Sequence, residues 1–348
     1  VNQSPSGTKF LKKEVREGLV PRLLEDLMGQ RDHHKAMMKS ATDESERLFH
    51  DQMQFAVKIL MNTFYGVFAS AFYRFTHPDI GSAITAWARS NIKKIINDLE
   101  EEGHPVVYSD TDSIFVSSPE EGKDALVDFG HELATRFTKE GAELEFEKGL
   151  SVFFSHGAKK RYVGRVVWPE EELLIRGYEV RRTDSFDLLN QTMMGTFERI
   201  LDGDEEGAYK HVVSLIRSVK AGEVDVADLI LSRSCKGKIL KDGTVDFSVY
   251  SNPDGLPYVQ AARKRIARGL QFTPGMKVSY IVTAAKGDDG RQTVEPWLVA
   301  ETGDPPPVPD WLFYAERLAR AMGRITEVYG WTQKDLLLGS RQQTFDFF

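Results

Sequence analysis

The sequence predicts an α+β fold. Three observations carry that prediction. The first hundred residues hold long stretches with apolar residues at helical spacing. Short runs rich in β-branched and aromatic residues follow as hairpin candidates, beginning at 106–116. Helices and hairpins then alternate without the strand–helix–strand order of a parallel sheet.

Residues 10–40 read as mostly helical, with Leu19, Leu23, Leu24 and Leu27 ahead of the polar, basic "GQRDHHKAMMK". A second helix is expected from about Asp43 to Phe68, its acidic start suited to the positive end of a helix dipole. The two form a helical pair. A third helix, "DIGSAITAWARSNIKKIINDLEEEG", leads into the hairpin at 106–116, and an amphipathic helix covers roughly 120–139. Strand signals return at "ELEFEKGLSVFFS", "RYVGRVVW" and "ELLIRGYEVRR". From about 186 the chain turns to helices, then to a small mixed region around "GMKVSYIVTAA". "GDPPPVPDW" reads as a stiff extended connector, followed by one more helix and the short tail "GSRQQTFDFF".

At 348 residues the chain has room for two or three domains. No apolar run reaches the roughly 18 residues that read as a membrane span, and no secretory signal opens the sequence. The single cysteine, Cys235, excludes an intramolecular disulfide and a cysteine-rich zinc module, so it reads as a structural thiol in a reducing compartment. The formal net charge of −7 argues against a nucleic-acid partner, but the charge is segregated. Cations gather in "KFLKKEVR" (9–16), "AKKRYVGR" (158–165) and "QAARKRIARG" (260–269). These are either solvated faces or parts of a polyanion site.

The sharpest motif is "VVYSDTDSIFV" at 106–116. Asp110 and Asp112 stand at i and i+2, which in an extended chain places both on one side. Two like charges so placed want a cation, and a hard divalent ion such as Mg²⁺ takes oxygen ligands of this kind. The other reading is a polar hairpin tip. The apolar flanks "VVY" and "IFV" favour the metal. On the helix at 43–68, Lys58, Asn62 and Tyr65 form one stripe about 10 Å long. A point charge, an amide and a ring in that order suit a triphosphate, a sugar and a base. Arg31 and Lys35 add two cations on one face of the preceding helix, or are a pair of exposed basic residues. His33 and His34 adjoin them, but neighbouring histidines on a helix point apart, which argues against a zinc site. Glu143, Glu145 and Glu147 alternate toward one face, as strand-surface acids or as an approach to the metal.

In series these residues resemble the motifs of family B DNA polymerases. "KILMNTFYG" (58–66) resembles the fingers motif K-x-x-x-N-[S/A/T]-x-Y-G, and "YSDTDS" (108–113) resembles the palm motif Y-[G/A]-D-T-D-[S/G]. "KKRY" (159–162) is similar to the K-K-[K/R]-Y segment that lies along the primer–template duplex. "RGYEVRRTD" (176–184) is similar to the palm segment after it, and 258–282 resembles part of the thumb. The resemblance covers nearly the entire chain and is closest to archaeal family B and bacterial polymerase II types.

The resemblance implies a helical fingers hairpin (1–66, with a short palm leader), an antiparallel β-sheet palm with packed helices (67–185) and a mainly helical thumb (186–340). It implies that Asp110 and Asp112 bind two catalytic Mg²⁺ ions, which in such sites lie roughly 3.5–4 Å apart. Arg31, Lys35 and Lys58 would grip the incoming dNTP, Asn62 would help position it, and Tyr65 would pack at the nascent base pair. Lys159, Lys160, Arg161 and Tyr162 would contact primer–template DNA.

A further palm carboxylate, in a motif resembling D-x-x-S-L-Y-P-S, is not in the sequence, and neither are the family's N-terminal and 3′→5′ exonuclease domains. The chain is therefore expected to be a split or truncated polymerase, inert until an N-terminal polymerase/exonuclease chain supplies that aspartate. A non-catalytic DNA- and clamp-binding scaffold is the alternative, and a stand-alone metal-dependent nuclease is disfavoured because no water-activating base stands near Asp110 and Asp112. The tail at 341–348 resembles sliding-clamp-binding peptides through Gln343, Phe345, Phe347 and Phe348, one residue short of the Q-x-x-h-x-x-F-F spacing. A cytoplasmic, nucleoid-associated location and no membrane partner complete the expectation.

Overall fold

A computed structural model of the chain describes residues 1–70, 72–74, 76–140, 144–178, 185–287 and 290–340. The chain forms two compact units, Val1–Phe146 and Glu147–Phe348.

The first unit opens with two short antiparallel strands, β1 (Asn2–Gln3) and β2 (Lys9–Phe10). Helix α1 (Leu19–Ser40) starts later than the apolar spacing predicts. Gly18 is extended at its N-cap, and Pro21 sits in the first turn, where a missing N–H costs nothing. Helix α2 (Glu44–Ala69) begins where its acidic start predicts: the Asp43 carboxylate accepts from the Glu46 N–H at 3.0 Å. Helices α1 and α2 pack together as a hairpin. Helix α3 (Pro78–Glu101) has proline at its first position. Strands β3 (Val106–Asp110) and β4 (Ser113–Val116) pair antiparallel, and α4 (Lys123–Lys139) follows.

The core of this unit is small. Ile95 and Leu99 of α3 and Phe137 of α4 are buried, and Val106, Ile114, Val116, Leu133 and Leu144 pack against them. The hairpin thus rests one face on α3 and α4. Its flanks are less buried than "VVY" and "IFV" imply, since Val107 points away at 52% exposure. Along α1 no residue is buried, and along α2 only Val57 is.

The second unit has a larger core. Strands β5 (Gly149–Phe154), β6 (Tyr162–Trp168) and β7 (Glu172–Arg176) form an antiparallel sheet in that order. The stretch 144–148 ahead of β5 joins no ladder, yet Leu144 and Phe146 are half-buried while Glu145 and Glu147 are exposed. Alternation survives there because it follows burial rather than pairing. Helices α5 (Asp187–Leu201) and α6 (Glu205–Ala221) come next, then β8 (Leu231–Ser234) and the small hairpin β9 (Lys238–Ile239) with β10 (Val245–Asp246). Helix α7 (Pro257–Ala267), β11 (Lys277–Ala284), β12 (Thr293–Pro296), α8 (Val299–Thr302), α9 (Trp311–Thr326) and α10 (Gln333–Leu338) complete it. Strand β11 is central between β12 and β8.

Leu188, Met193 and Phe197 of α5, Val212 and Ile216 of α6, and Leu318 and Met322 of α9 belong to one buried cluster with Ile281 of β11. The Val282 N–H donates to the buried Tyr314 hydroxyl at 3.0 Å, tying α9 to that strand. Two helices follow the proline-rich stretch where the apolar spacing predicts one. The Thr332 hydroxyl and the Asp335 carboxylate form a reciprocal capping box that starts α10. Cys235 is buried and unpaired, and burial pushes its thiol up to about 11. Among the described residues, no helix is long and apolar enough to cross a membrane.

Candidate active site and nucleic-acid-binding segment

In the first unit the two carboxylates occupy one tight turn. Asp110 is the last residue of β3, and it pairs across the ladder with Ser113. Thr111 and Asp112 therefore form a two-residue loop, and the two acids do not share a strand face as the i, i+2 spacing implies. Thr111 has φ +59°, the left-handed region, where a β-branched residue is uncommon and costs roughly 1–2 kcal/mol. Positive φ at the first loop position matches the twist of a hairpin, which glycine usually supplies. The Thr111 hydroxyl donates to an Asp110 carboxylate oxygen at 3.0 Å. The Asp112 N–H and the Ser113 hydroxyl both donate to the Asp110 carbonyl, at 2.7 and 3.1 Å. Asp110 is half-buried and Asp112 exposed.

The cationic helices have a defined register. His34 Nδ1 and His50 Nδ1 are 2.9 Å apart, so this level of α1 lies opposite this level of α2. With 1.5 Å of rise per residue, Arg31 lies about 4.5 Å below that level and Lys58 about 12 Å below it. The two cations are thus offset by about 7.5 Å along the hairpin axis. Arg31 and Lys35 are half-buried, and the buried Arg31 Nε has no hydrogen-bond partner. Lys58, Asn62 and Tyr65 are exposed. They border the less exposed edge of α2 that His50, Gln54, Val57, Met61 and Phe64 mark. Helix α3 packs against both α2 and the β3–β4 hairpin.

The second unit carries the basic segment. Ser155–Arg161 links β5 to β6, and Tyr162 opens β6. Lys159 and Lys160 are exposed, while Arg161 and Tyr162 are half-buried, the Tyr162 ring 5.6 Å from that of Phe153. The loop is tightly held. The Ser155 hydroxyl donates to the Arg161 carbonyl at 3.1 Å, and the Arg161 N–H donates to the Ala158 carbonyl at 3.2 Å. Lys160 has φ +62°, a second non-glycine residue in the left-handed region. Gly177, just past β7, approaches so closely that a Cβ there would stand 1.9 Å from the Lys160 carbonyl oxygen. His156 Nδ1 and the Tyr178 hydroxyl are 2.7 Å apart. Burial and the nearby Arg161 charge push the His156 imidazole down; burial pushes the Tyr178 phenol up, against the pull of Arg161.

The other basic runs are engaged elsewhere. Arg263 pairs with Asp254, Lys264 and Arg268 with Glu295, and Arg265 with Glu301. That run is therefore largely neutralised within the second unit rather than offered to a polyanion. Lys13 pairs with Glu17 and Glu25. Within 158–165, Arg165 pairs with Asp202.

Several residues had no sequence signal. His34 and His50 are 16 apart, and His156 and Tyr178 are 22 apart; each pair is created by a helix or strand register. The left-handed Thr111 is legible only in part, from the two-residue gap between the strand signals. Gln343, Phe345, Phe347 and Phe348 lie outside the described residues, as do Glu143 and 179–184. Among the described residues, no group of three or more His, Cys, Asp or Glu side chains is placed to hold a metal ion.

Helical hairpin, acidic β-turn and three-stranded sheet together have a match among known proteins. The family model described as DNA polymerase family B matches residues 1–328, and the chain belongs to that family. It is 32% identical over 341 residues to a DNA polymerase of Thermococcus sp. (strain 9oN-7), covering 95% of this chain and 41% of the relative. It is 28% identical to the DNA polymerase delta catalytic subunit of Glycine max, covering 99% of this chain and 32% of the relative. The solved family B DNA polymerase of Pyrobaculum calidifontis matches with a TM-score of 0.62 and 25% identity, over 94% of this chain and 40% of that one. The chain thus spans well under half the length of these relatives.

Proposed function

We propose that this chain carries the nucleotide-binding and part of the metal-binding apparatus for template-directed DNA synthesis, adding dNMP to a primer 3′ end. One observation carries the reading most directly. The half-buried Arg31, its Nε without a partner, lies in the same unit as the Lys58–Asn62–Tyr65 stripe and the Asp110–Asp112 turn. A buried guanidinium nitrogen left unpaired is costly unless a ligand satisfies it, and phosphate oxygens are the acceptors a guanidinium fork suits best. In this reading Arg31, Lys35 and Lys58 neutralise the triphosphate, Asn62 orients it, and Tyr65 packs on the base. Phosphoryl transfer depends on such positioning and charge neutralisation more than on covalent chemistry.

The acidic turn fits a hard divalent ion in its donor set, two carboxylates held by a strained hairpin loop. Asp110 and Asp112 would hold Mg²⁺, which when bound assists the primer hydroxyl and offsets charge on the leaving pyrophosphate. Two acids are an incomplete set, and no third joins them among the described residues. In this reading the further carboxylate comes from an N-terminal polymerase/exonuclease portion, because the sequence holds no stretch resembling D-x-x-S-L-Y-P-S. Fingers at 1–66, palm at 67–185 and thumb at 186–340 remain our assignment. Lys159, Lys160, Arg161 and Tyr162 grip the primer–template duplex, in a cytoplasmic, nucleoid-associated setting. The tail at 341–348 docks on a sliding clamp; unchanged clamp association after its deletion would end that part.

The decisive experiment is primer extension with Mg²⁺ and dNTPs. The chain is expected to be inert alone and active with a partner carrying the missing palm motif. Asp112→Ala should abolish the reconstituted activity, and persistence of extension would remove Asp112 from the catalytic set. Failure of every reconstitution, with DNA binding intact, would favour the scaffold reading.

A further inference from the structure

From the His156–Tyr178 contact we infer that these two side chains are positioning residues, which lock the Lys159–Arg161 loop in the conformation that presents its cations to duplex DNA. The inference rests on the reading of that loop as a DNA-binding segment and gives His156 and Tyr178 a role there.

The loop has reason to need a lock. Lysines 159 and 160 are neighbours and both exposed. Lys160 adopts a left-handed backbone conformation, which a side chain disfavours. Unrestrained, such a loop would relax to many extended conformations, and ordering it on DNA would weaken binding by the entropy lost. Several interactions restrain it. Within the loop, the Ser155 hydroxyl and the Arg161 N–H donate to backbone carbonyls, and the Gly157 N–H donates to the Ser155 hydroxyl. Gly177 approaches the Lys160 backbone closely from outside it.

The His156–Tyr178 contact differs in kind, because it reaches the core. His156, at the start of the loop, meets the Tyr178 hydroxyl at 2.7 Å. The Tyr178 ring packs on the fully buried Phe197 of α5, ring centroids 4.7 Å apart. The β6–β7 register, Tyr162 opposite Arg176, brings Gly177 and Tyr178 alongside this loop. A continuous path therefore runs from α5 through Tyr178 and His156 to the cationic turn. Neither side chain is required to touch DNA for this role. Their effect is on how many of the loop's cations reach phosphates together.

The test uses the full chain and two readouts. Tyr178→Phe removes one hydroxyl and keeps the ring on Phe197, so the melting temperature should stay within a degree or two. Limited trypsin cleavage after Lys159 and Lys160 should accelerate several-fold in the free variant, without DNA present. Affinity for a short primer–template duplex should fall about 3- to 10-fold. The slope of log K against log salt should shrink by about 0.9 for each phosphate the loop no longer neutralises, although no charge has been removed. His156→Ala should match Tyr178→Phe, and the double variant should be no worse than either, as for one shared interaction. His156→Asn, which keeps a polar group in reach, should restore most of the affinity.

Unchanged cleavage in Tyr178→Phe overturns the inference, whether or not the chain binds DNA. Equal affinity and slope in a chain that does bind DNA overturns it as well. The DNA-binding reading fails separately if Lys159→Ala with Lys160→Ala leaves duplex affinity untouched.

Discussion

Replacing Gly177 by alanine isolates how a single missing methyl group shapes the basic loop. Gly177 has φ +72°, and an added Cβ would stand 1.9 Å from the Lys160 carbonyl oxygen and 2.8 Å from its carbonyl carbon. A side chain in the left-handed region costs about 1–2 kcal/mol wherever it occurs. The clash costs more, because both sides are backbone and neither can rotate away. An ordinary Cβ neighbour lies beyond about 3.4 Å, so loop or strand end must move by more than an ångström. Such a shift breaks the Ser155–Arg161 and His156–Tyr178 hydrogen bonds, at about 1 kcal/mol each. The total is roughly 3–4 kcal/mol. Gly203→Ala supplies the control: φ is +75°, and nothing lies within 4 Å of the added Cβ. That variant should lose about 1–2 kcal/mol, the conformational part alone. Urea denaturation followed by circular dichroism measures both, with trypsin cleavage at Lys159 and Lys160 as a local probe. Equal stability loss in the two alanine variants would refute the steric account, since the close approach at Gly177 would then not shape the loop.

Three more outcomes are expected. His156 and His211 both titrate below the ordinary imidazole range, chiefly through burial, with Arg161 and Arg199 respectively adding to it. The unfolded chain then binds more protons than the folded one once pH drops below about 6.5, so stability is full above that pH and declines as pH falls toward the folded values. Urea midpoints measured from pH 7.5 to 5.5 should decrease, and His211→Gln should flatten the decline; a pH-independent midpoint would contradict this. Leu99→Ala empties a fully buried position in the small core under the β3–β4 hairpin and should cost about 2–5 kcal/mol, read by thermal melting of the first unit. Loss below about 0.5 kcal/mol, the scale of an ordinary surface substitution, would show that this core does not support the hairpin. Cys235 should resist iodoacetamide at pH 8 in the native chain and react on unfolding, because burial holds its thiol protonated; rapid native alkylation by mass spectrometry would count against that.

Much of the candidate site was legible because its residues are close in sequence. Lys58, Asn62 and Tyr65 share one helix, and Asp110 and Asp112 share one turn, so local periodicity alone groups them. Helix α2 begins at its acidic start because capping is a local interaction between Asp43 and Glu46. Where local signals compete with packing, legibility ended. Residues 10–17 have helix-forming composition but precede Gly18 and Pro21, and the helix waits until Leu19. The stretch 144–148 alternates as a strand does, yet no neighbouring strand completes a ladder. The run 260–269 reads as a polyanion face until its acids, Asp254, Glu295 and Glu301, are brought to it from other segments.

By itself the sequence determined the helical and hairpin elements, the identity of the acidic turn and the cationic stripe, and membership of a family recognised by motifs in series. Only the tertiary structure decided which distant side chains meet: His34 with His50, His156 with Tyr178, Gly177 against Lys160, and the cations of 260–269 with their acids. The physical reason is range. Caps, turns and helical stripes depend on neighbours within about four residues, whereas these meetings depend on helix packing and strand register, which bring together residues that no local rule relates.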